Sequence, residues 1–305
     1  MCVSIKKFTL VEMLVVISVI GIIIGILLPS FMKMKSRAKY LQWQAFNMEV
    51  NMDEDVVANY NFEFDNFSVS DDGVNMPAIY NGASGNSRPD FSQASYHAIL
   101  EGDPEWAVGG GRWEYKNSLM FDGRNDYARL VDSNLMNFDP GLDDFTITTW
   151  IKLDDPQMQY LFSKAKNNAH SQFFMHYNGQ KMWIGSGDPG EGQASKSQGQ
   201  GNGVSGNNSF AGYDVDLETD KFHHFTLVNK AGEGMYIYLN GQLLGSTEPA
   251  EPGTYNDADF LIGALDGENH NPRQHFSGEM DGLMVFQRAF EPSEVKHHYK
   301  MGNPY

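Results

Sequence analysis

Apolar residues change their spacing twice along this chain. Phe8 to Leu28 read FTLVEMLVVISVIGIIIGILL, an apolar run broken by one charge, Glu12, with Lys6 and Lys7 before it. As a helix rising ~1.5 Å per residue the run is about 31 Å long, the thickness of a bilayer core. Secretory signals have apolar cores of about 7–15 residues ending at a small-residue cut site. This run is longer and is followed by Pro29-Ser30-Phe31, so the pattern predicts a membrane-spanning helix over residues 8–29. Beyond Pro29, Phe31, Met34, Ala38, Leu41, Ala45, Met48 and Met52 recur at steps of three and four. That spacing predicts an amphipathic extension and linker over 30–55, its stripe packed on its own domain or on neighbouring helices, with its own domain the expected partner.

From Val56 onward the period falls to two. Short alternating segments are separated by Gly, Asn, Asp and Pro, and the predicted strands are 59–64, 118–121, 127–130, 145–153, 160–164, 172–177, 181–184, 223–229, 235–239, 242–247, 259–262 and 279–286. Asn178-Gly179 and Asn240-Gly241 are two-residue hairpin signals between apolar flanks. About a dozen strands with such turns predict a two-sheet sandwich or jelly roll over 56–305. Residues 185–212, rich in Gly, Ser, Asn and Gln, read as a flexible loop. Pro292 to Lys300 reads as a terminal helix.

Composition narrows the function classes. With 39 acidic against 22 basic residues the formal charge is −17, which repels phosphate backbones and removes nucleic acid from the expected partners. Cys2 is the single cysteine, so neither a disulfide nor a C-x-x-C metal or redox motif can form within the chain.

A carboxylate inside an apolar span is costly and demands a partner, for which the candidates are the preceding lysines or an amino terminus created between Lys7 and Phe8. The basic leader, Phe8-Thr9-Leu10-Val11-Glu12, the mid-span Gly21 and Pro29 resemble the amino-terminal segment of type IV prepilins and type II secretion pseudopilins. The resemblance implies that a prepilin peptidase removes residues 1–7 and methylates Phe8, and that Glu12 assists docking among other pilin-like subunits. Lys7 stands where such leaders end in Gly. The implied location is the inner membrane of a bacterium, crossed once with the carboxy-terminal domain outside, with assembly into a pilus or pseudopilus. Counting Lys33, Lys35, Arg37 and Lys39 alone would place the following segment inside; the resemblance places it outside.

The later segments Leu119-Met120-Phe121-Asp122-Gly123, Phe145-Thr146-Ile147-Thr148-Thr149-Trp150-Ile151, Phe222-His223-His224-Phe225, Tyr236-Ile237-Tyr238-Leu239-Asn240-Gly241, Leu261-Ile262-Gly263 and Gly278-Glu279-Met280-Asp281-Gly282 resemble, in this order, the laminin-G-like members of the concanavalin A-like lectin/glucanase jelly rolls. The fold class implied is mainly β, a jelly-roll sandwich preceded by one long pilin-type helix. Fold alone leaves lectin, adhesion module, enzyme and spacer open.

Glu279-Met280-Asp281-Gly282-Leu283-Met284 invites comparison with the E-x-D-x-x-E run of retaining glucanases, whose two carboxyl groups stand about 5–5.5 Å apart. Met284 takes the place of the second one, so no enzyme is expected. Calcium is the plausible cofactor, with Asp65, Asp71 and Asp281 as candidate ligands should the loop after the first strand meet the late strand. Asp122, Asn125 and Asp126 read as a turn. Trp106 and Trp113, in a Gly-rich stretch, are the candidate glycan-stacking residues. The pairs His223-His224 and His297-His298 read as buried histidines on a strand and as a solvated helix face. The leading expectation is a non-enzymatic pilin-like or pseudopilin-like subunit displaying the jelly roll. A surface adhesin or lectin that binds glycan or protein is the alternative, and a glycoside hydrolase the least favoured.

Overall fold

The computed structural model describes residues 9–62, 68–70, 75–79, 97–130, 136–166, 170–187, 203–205, 208–252, 258–266 and 271–305. It opens with one continuous helix, α1 (Leu10–Asn51), of 42 residues, which carries Pro29 within it rather than ending there. Thr9 and Glu12 form a reciprocal capping box at its start, so the partner of Glu12 is the Thr9 amide, at 2.7 Å, and the Thr9 hydroxyl, at 2.8 Å. Neither a lysine nor a new amino terminus is needed for that bond. Residues 10–35 are exposed throughout, and the helix meets the length and composition of a membrane span, which a signal sequence also meets.

The strands are β1 (Val56–Tyr60), β2 (Ser68–Ser70), β3 (Asn75–Ile79), β4 (Ala98–Glu101), β5 (Glu105–Ala107), β6 (Ser118–Asp122), β7 (Tyr127–Leu130), β8 (Phe145–Leu153) and β9 (Met158–Lys166). There follow β10 (His170–Asn178), β11 (Lys181–Gly187), β12 (Gly203–Ser205), β13 (Asn208–Asp214), β14 (His223–Lys230), β15 (Gly234–Leu239), β16 (Gln242–Ser246), β17 (Phe260–Ile262) and β18 (Ser277–Phe286), and then a second helix, α2 (Pro292–Gly302). They form two antiparallel sheets. One runs β16-β15-β14-β8-β18-β6-β5 with β1 also on β18, and the other runs β12-β13-β11-β10-β9-β17-β7-β4-β3-β2. Phe121, Phe145, Ile147, Phe162, Phe173, Phe225, Leu227, Phe260 and Leu283 belong to the large core of the sandwich.

The eight-stranded sheet is buried on its outer side as well. There Trp43, Phe46 and Val50 of α1 meet Val228, Tyr238, Met284 and Phe286 of the sheet and Phe290 and Val295 beside and within α2. The face that docks is therefore Trp43, Phe46, Asn47 and Val50, and the stripe Phe31, Met34, Leu41, Met48 and Met52 points outward. This corrects the expected packing: two stripes at helical spacing share this segment, and the one with the tryptophan fits the sheet. Asn59 of β1 donates to Asn47 at 2.9 Å and to Asn51 at 2.6 Å, which fixes the helix rotation.

Two other expectations shift. The first strand begins at Val56 and the chain leaves it by Phe62, whose φ of +52° is incompatible with extended pairing. The span 185–212 is not wholly loop: β11 continues to Gly187, and β13 pairs with it along its length. Gly212 is required there, because a Cβ would sit 2.5 Å from the Trp183 ring.

Candidate ligand-binding site

Alternation on three neighbouring strands of the ten-stranded sheet builds an outward cleft. Ala98 and Leu100 of β4, Ala128 and Leu130 of β7, and Phe260 and Ile262 of β17 point into the core. Their neighbours must therefore face away from it. The register sets Tyr127 opposite Glu101 and Leu261 opposite Arg129. Together with Asp259 and Asp266 these residues line a cleft of about 380 Å³.

Arg129 organises the floor. Its guanidinium reaches Glu101 at 3.1 Å and Asp259 at 3.4 Å. Partial burial opposes its charge, but the two carboxylates outweigh it and raise the Arg129 pKa. Burial, and then the negative charge of Glu101, push the Tyr127 hydroxyl up, so it stays protonated and can donate. The cleft thus offers donors and acceptors side by side around an aromatic ring. His275 packs against Tyr127 with ring centres 5.9 Å apart, and its ring nitrogens lie 3.2 Å from the Asp126 carbonyl and 3.1 Å from that of Pro272.

The residues expected to carry chemistry lie elsewhere. Asp281 sits at a bulge in β18, where the register shifts between Met280 and Leu283 and Gly282 has φ +100°. Its carboxylate is fully buried and held by Lys116 Nζ at 2.5 Å, Arg112 Nε at 3.3 Å and the Arg112 amide at 2.5 Å. Two cations, Lys116 and Arg112, thus already hold the carboxylate expected as a calcium ligand. Asp65 and Asp71 lie outside the described residues, as do Lys7 and Phe8, and among the described residues no cluster of three or more His, Cys, Asp or Glu could hold a metal. Glu279 accepts from Ser118 at 2.6 Å and pairs with Lys152, while Met284 packs in the cluster beneath the helices.

Trp113 is 2% exposed and so is not available to stack on a glycan. Its ring lies 5.4 Å from that of Trp43, and the Arg112 guanidinium stands 4.7 Å from Trp113, 5.4 Å from Trp43 and 4.6 Å from Trp150. A Gly-rich loop suggests exposure in sequence; the docked helix covers it here. Trp106, on the edge strand β5, is partly buried against the main core. His224 is buried, with its Nε2 2.5 Å from the Thr148 hydroxyl, in line with expectation. His298 departs from it: its ring is enclosed by Phe46, Phe286 and Phe290 at 4.9, 5.4 and 4.6 Å, and burial, with the nearby charges of His297 and Arg288, pushes its pKa down to about 3.

Comparison with known proteins identifies the fold. The profile described as the concanavalin A-like lectin/glucanases superfamily matches residues 122–296. No curated protein matches the sequence. Among solved structures, the binding domain of Paraclostridial Mosquitocidal Protein 1 matches with a TM-score of 0.53 at 13% identity, over 80% of this chain and 52% of that one. The binding domain of botulinum neurotoxin DC, solved in complex with rat synaptotagmin II, gives 0.51 at 10% identity over 83% and 52%. A botulinum neurotoxin type C structure, described by a dependence of cell entry on two ganglioside molecules, gives 0.50 at 10% over 83% and 52%. The chain spans about half the length of these toxin chains. At such identities the likeness is one of fold.

Proposed function

We propose that this chain, which belongs to the concanavalin A-like lectin/glucanase superfamily, is a non-enzymatic pilin-like or pseudopilin-like subunit whose helix displays the sandwich outside a bacterial inner membrane. The observation that carries the reading is the division of α1. One continuous helix is apolar and fully exposed over its first half and seated on the sheet through Trp43, Phe46, Asn47 and Val50 near its end. An exposed apolar helix of this length is stable in hydrocarbon and unstable in water. The Thr9–Glu12 cap satisfies the carboxylate and the Thr9 amide within the chain, which lowers the cost of carrying Glu12 into a span. Mass spectrometry of protein from the host tests the processing step: a chain beginning with N-methylated Phe8 is expected, and an intact Met1 in assembled material overturns it. Glu12→Ala is expected to insert into the membrane and to incorporate poorly into filaments; unimpaired assembly removes the role given to Glu12.

A second reading makes the sandwich a surface adhesin for glycan or protein, and the cleft around Arg129 favours it. The related toxin domains, one solved with synaptotagmin II and one described by its dependence on gangliosides, lend support by fold alone. Both readings are compatible: the helix anchors and the sandwich binds.

A further inference from the structure

We propose that the cleft between β4, β7 and β17 is a binding site for a neutral, hydroxyl-rich saccharide, and that it selects against sialylated or sulfated ones; this rests on the adhesin reading above. Among the described residues, two half-buried carboxylates, Glu101 and Asp259, line the cleft against one cation, Arg129, with the buried Asp266 beside them. An anionic sugar entering it meets a local excess of negative charge, on a chain whose formal charge is already −17. A cationic side chain is disfavoured for the opposite reason. The guanidinium occupies the floor, and its ion pairs with Glu101 and Asp259 would have to break before either carboxylate could take a new cation.

Vicinal hydroxyls suit the site because each donates and accepts at once. Glu101 and Asp259 can accept from them through lone pairs that Arg129 leaves unused, while Arg129 and the protonated Tyr127 hydroxyl donate. Each carboxylate accepts one guanidinium contact and is about 30% exposed, which leaves acceptor capacity facing the cleft. The partly exposed ring of Tyr127 supplies a flat apolar surface for the C–H face of a pyranose or furanose. A volume of about 380 Å³ lies within the range of small-molecule sites and accommodates one or two sugar rings. Because the Arg129 ion pairs hold the floor before any ligand arrives, binding requires little reordering.

The test uses the full chain in lipid nanodiscs against an array of neutral hexose and pentose oligosaccharides, sialylated and sulfated oligosaccharides, and a Lys/Arg-rich peptide. Tyr127→Ala and Arg129→Gln are run beside the parent, with melting curves to show that each folds. The expected result is binding of one or more neutral oligosaccharides, weakened at least tenfold in both variants, with no sialylated or sulfated ligand bound through these residues. Neutral binding that survives both substitutions overturns the cleft and leaves the adhesin reading standing. Cleft-dependent binding of an anionic sugar, or of the basic peptide alone, keeps the site and overturns its chemical class. No binding to any probe overturns the proposal and removes glycan from the adhesin reading. Should a variant fail to fold, Tyr127→Phe and Arg129→Lys, which keep most of the packing, take its place; neutral binding unchanged in both overturns the cleft.

Discussion

Asp281→Asn tests the buried ion cluster that joins the helices to the sandwich. The substitution keeps size and shape, and the new amide oxygen can still accept from the Arg112 backbone N–H, while the charge is lost and an NH2 donor replaces the oxygen that faced Lys116 and Arg112. Asp281 and Lys116 are fully buried and Arg112 nearly so. Removing the carboxylate strands two cations, Lys116 with the Asn61 carbonyl and Arg112 with the Gly302 carbonyl at 2.9 Å as named acceptors. Breaking a buried pair in this way costs about 3–5 kcal/mol. For a domain of this size 1 kcal/mol moves Tm by about 2–4 °C, so a fall of about 6–20 °C is expected. Differential scanning fluorimetry of the full chain in detergent reads it directly, because Trp43, Trp113 and Trp150 surround the Arg112 guanidinium. Adding Lys116→Met to Asp281→Asn removes one stranded cation, and the pair is expected to be less than additive, by about 1–3 kcal/mol. A change under about 1 kcal/mol in the single variant would refute the assignment. So would a calcium-dependent rise in Tm that disappears with Asp281, since a carboxylate already held by two cations gives calcium little to bind.

Acid should destabilise the fold through the buried His176 and His224 and the half-buried His298: burial holds His176 at about 3 and, with the charges of His297 and Arg288, His298 at about 3, and it pushes His224 well below the ordinary value. Depressed native values mean that the unfolded chain binds more protons below about pH 6.5, so stability is full above that pH and is lost as pH falls toward the native values. The loss is about 1.4 kcal/mol per pH unit for each such histidine, and Tm of His176→Gln should fall less steeply between pH 7 and 5 than that of the parent. Gly278→Ala should lower stability by about 2 kcal/mol or more, because φ is +145° and a Cβ would stand 2.2 Å from the Lys152 carbonyl oxygen; an unchanged denaturation midpoint would contradict the backbone path. Trp43→Ala should cost about 3–5 kcal/mol and release the carboxy-terminal half of α1, read as faster amide exchange over residues 40–51 with sheet protection unchanged.

Most of the sandwich is legible because its strands alternate, and alternation survives whatever packs beside it. Thr148 and Trp150 mark the limit: β8 is buried on both faces, and only the docked helices explain its outer one. The docking face of α1 is hidden for a related reason. Steps of three and four fit both Phe31-Met34-Leu41-Met48 and Trp43-Phe46-Val50, and the bond from Asn59 to Asn47 that selects between them joins residues whose pairing no local pattern encodes. Asp281 is found by its motif but its ion-pair partners are not, since Arg112 and Lys116 reach it from 169 and 165 positions away. The cleft draws on strands separated by well over a hundred residues. Tyr127, Arg129 and Asp259 are visible as outward positions, but their meeting needs the strand order β17-β7-β4.

That strand order also relates the two proposed roles. The helix seats on the outer face of the eight-stranded sheet, and the cleft opens on the outer face of the ten-stranded one, so anchor and ligand occupy opposite sides of the sandwich. From Leu28 to Trp43 the helix advances about 22 Å at ~1.5 Å per residue; with the apolar half in a bilayer, as proposed, that distance would carry the sandwich clear of a headgroup layer that adds about 5–8 Å to each side of the hydrocarbon. Lys33, Lys35 and Arg37 are exposed along that interval, and Lys39 turns to the Pro304 carbonyl at 3.0 Å, extending the helix contact to the end of the chain. Because α1 is fixed at both Trp43 and Asn47, the sandwich follows the helix as one lever rather than swinging on a tether. A neighbour packing along the outward stripe from Phe31 to Met52 would then leave the cleft open, and occupancy of the cleft would place no demand on the anchor.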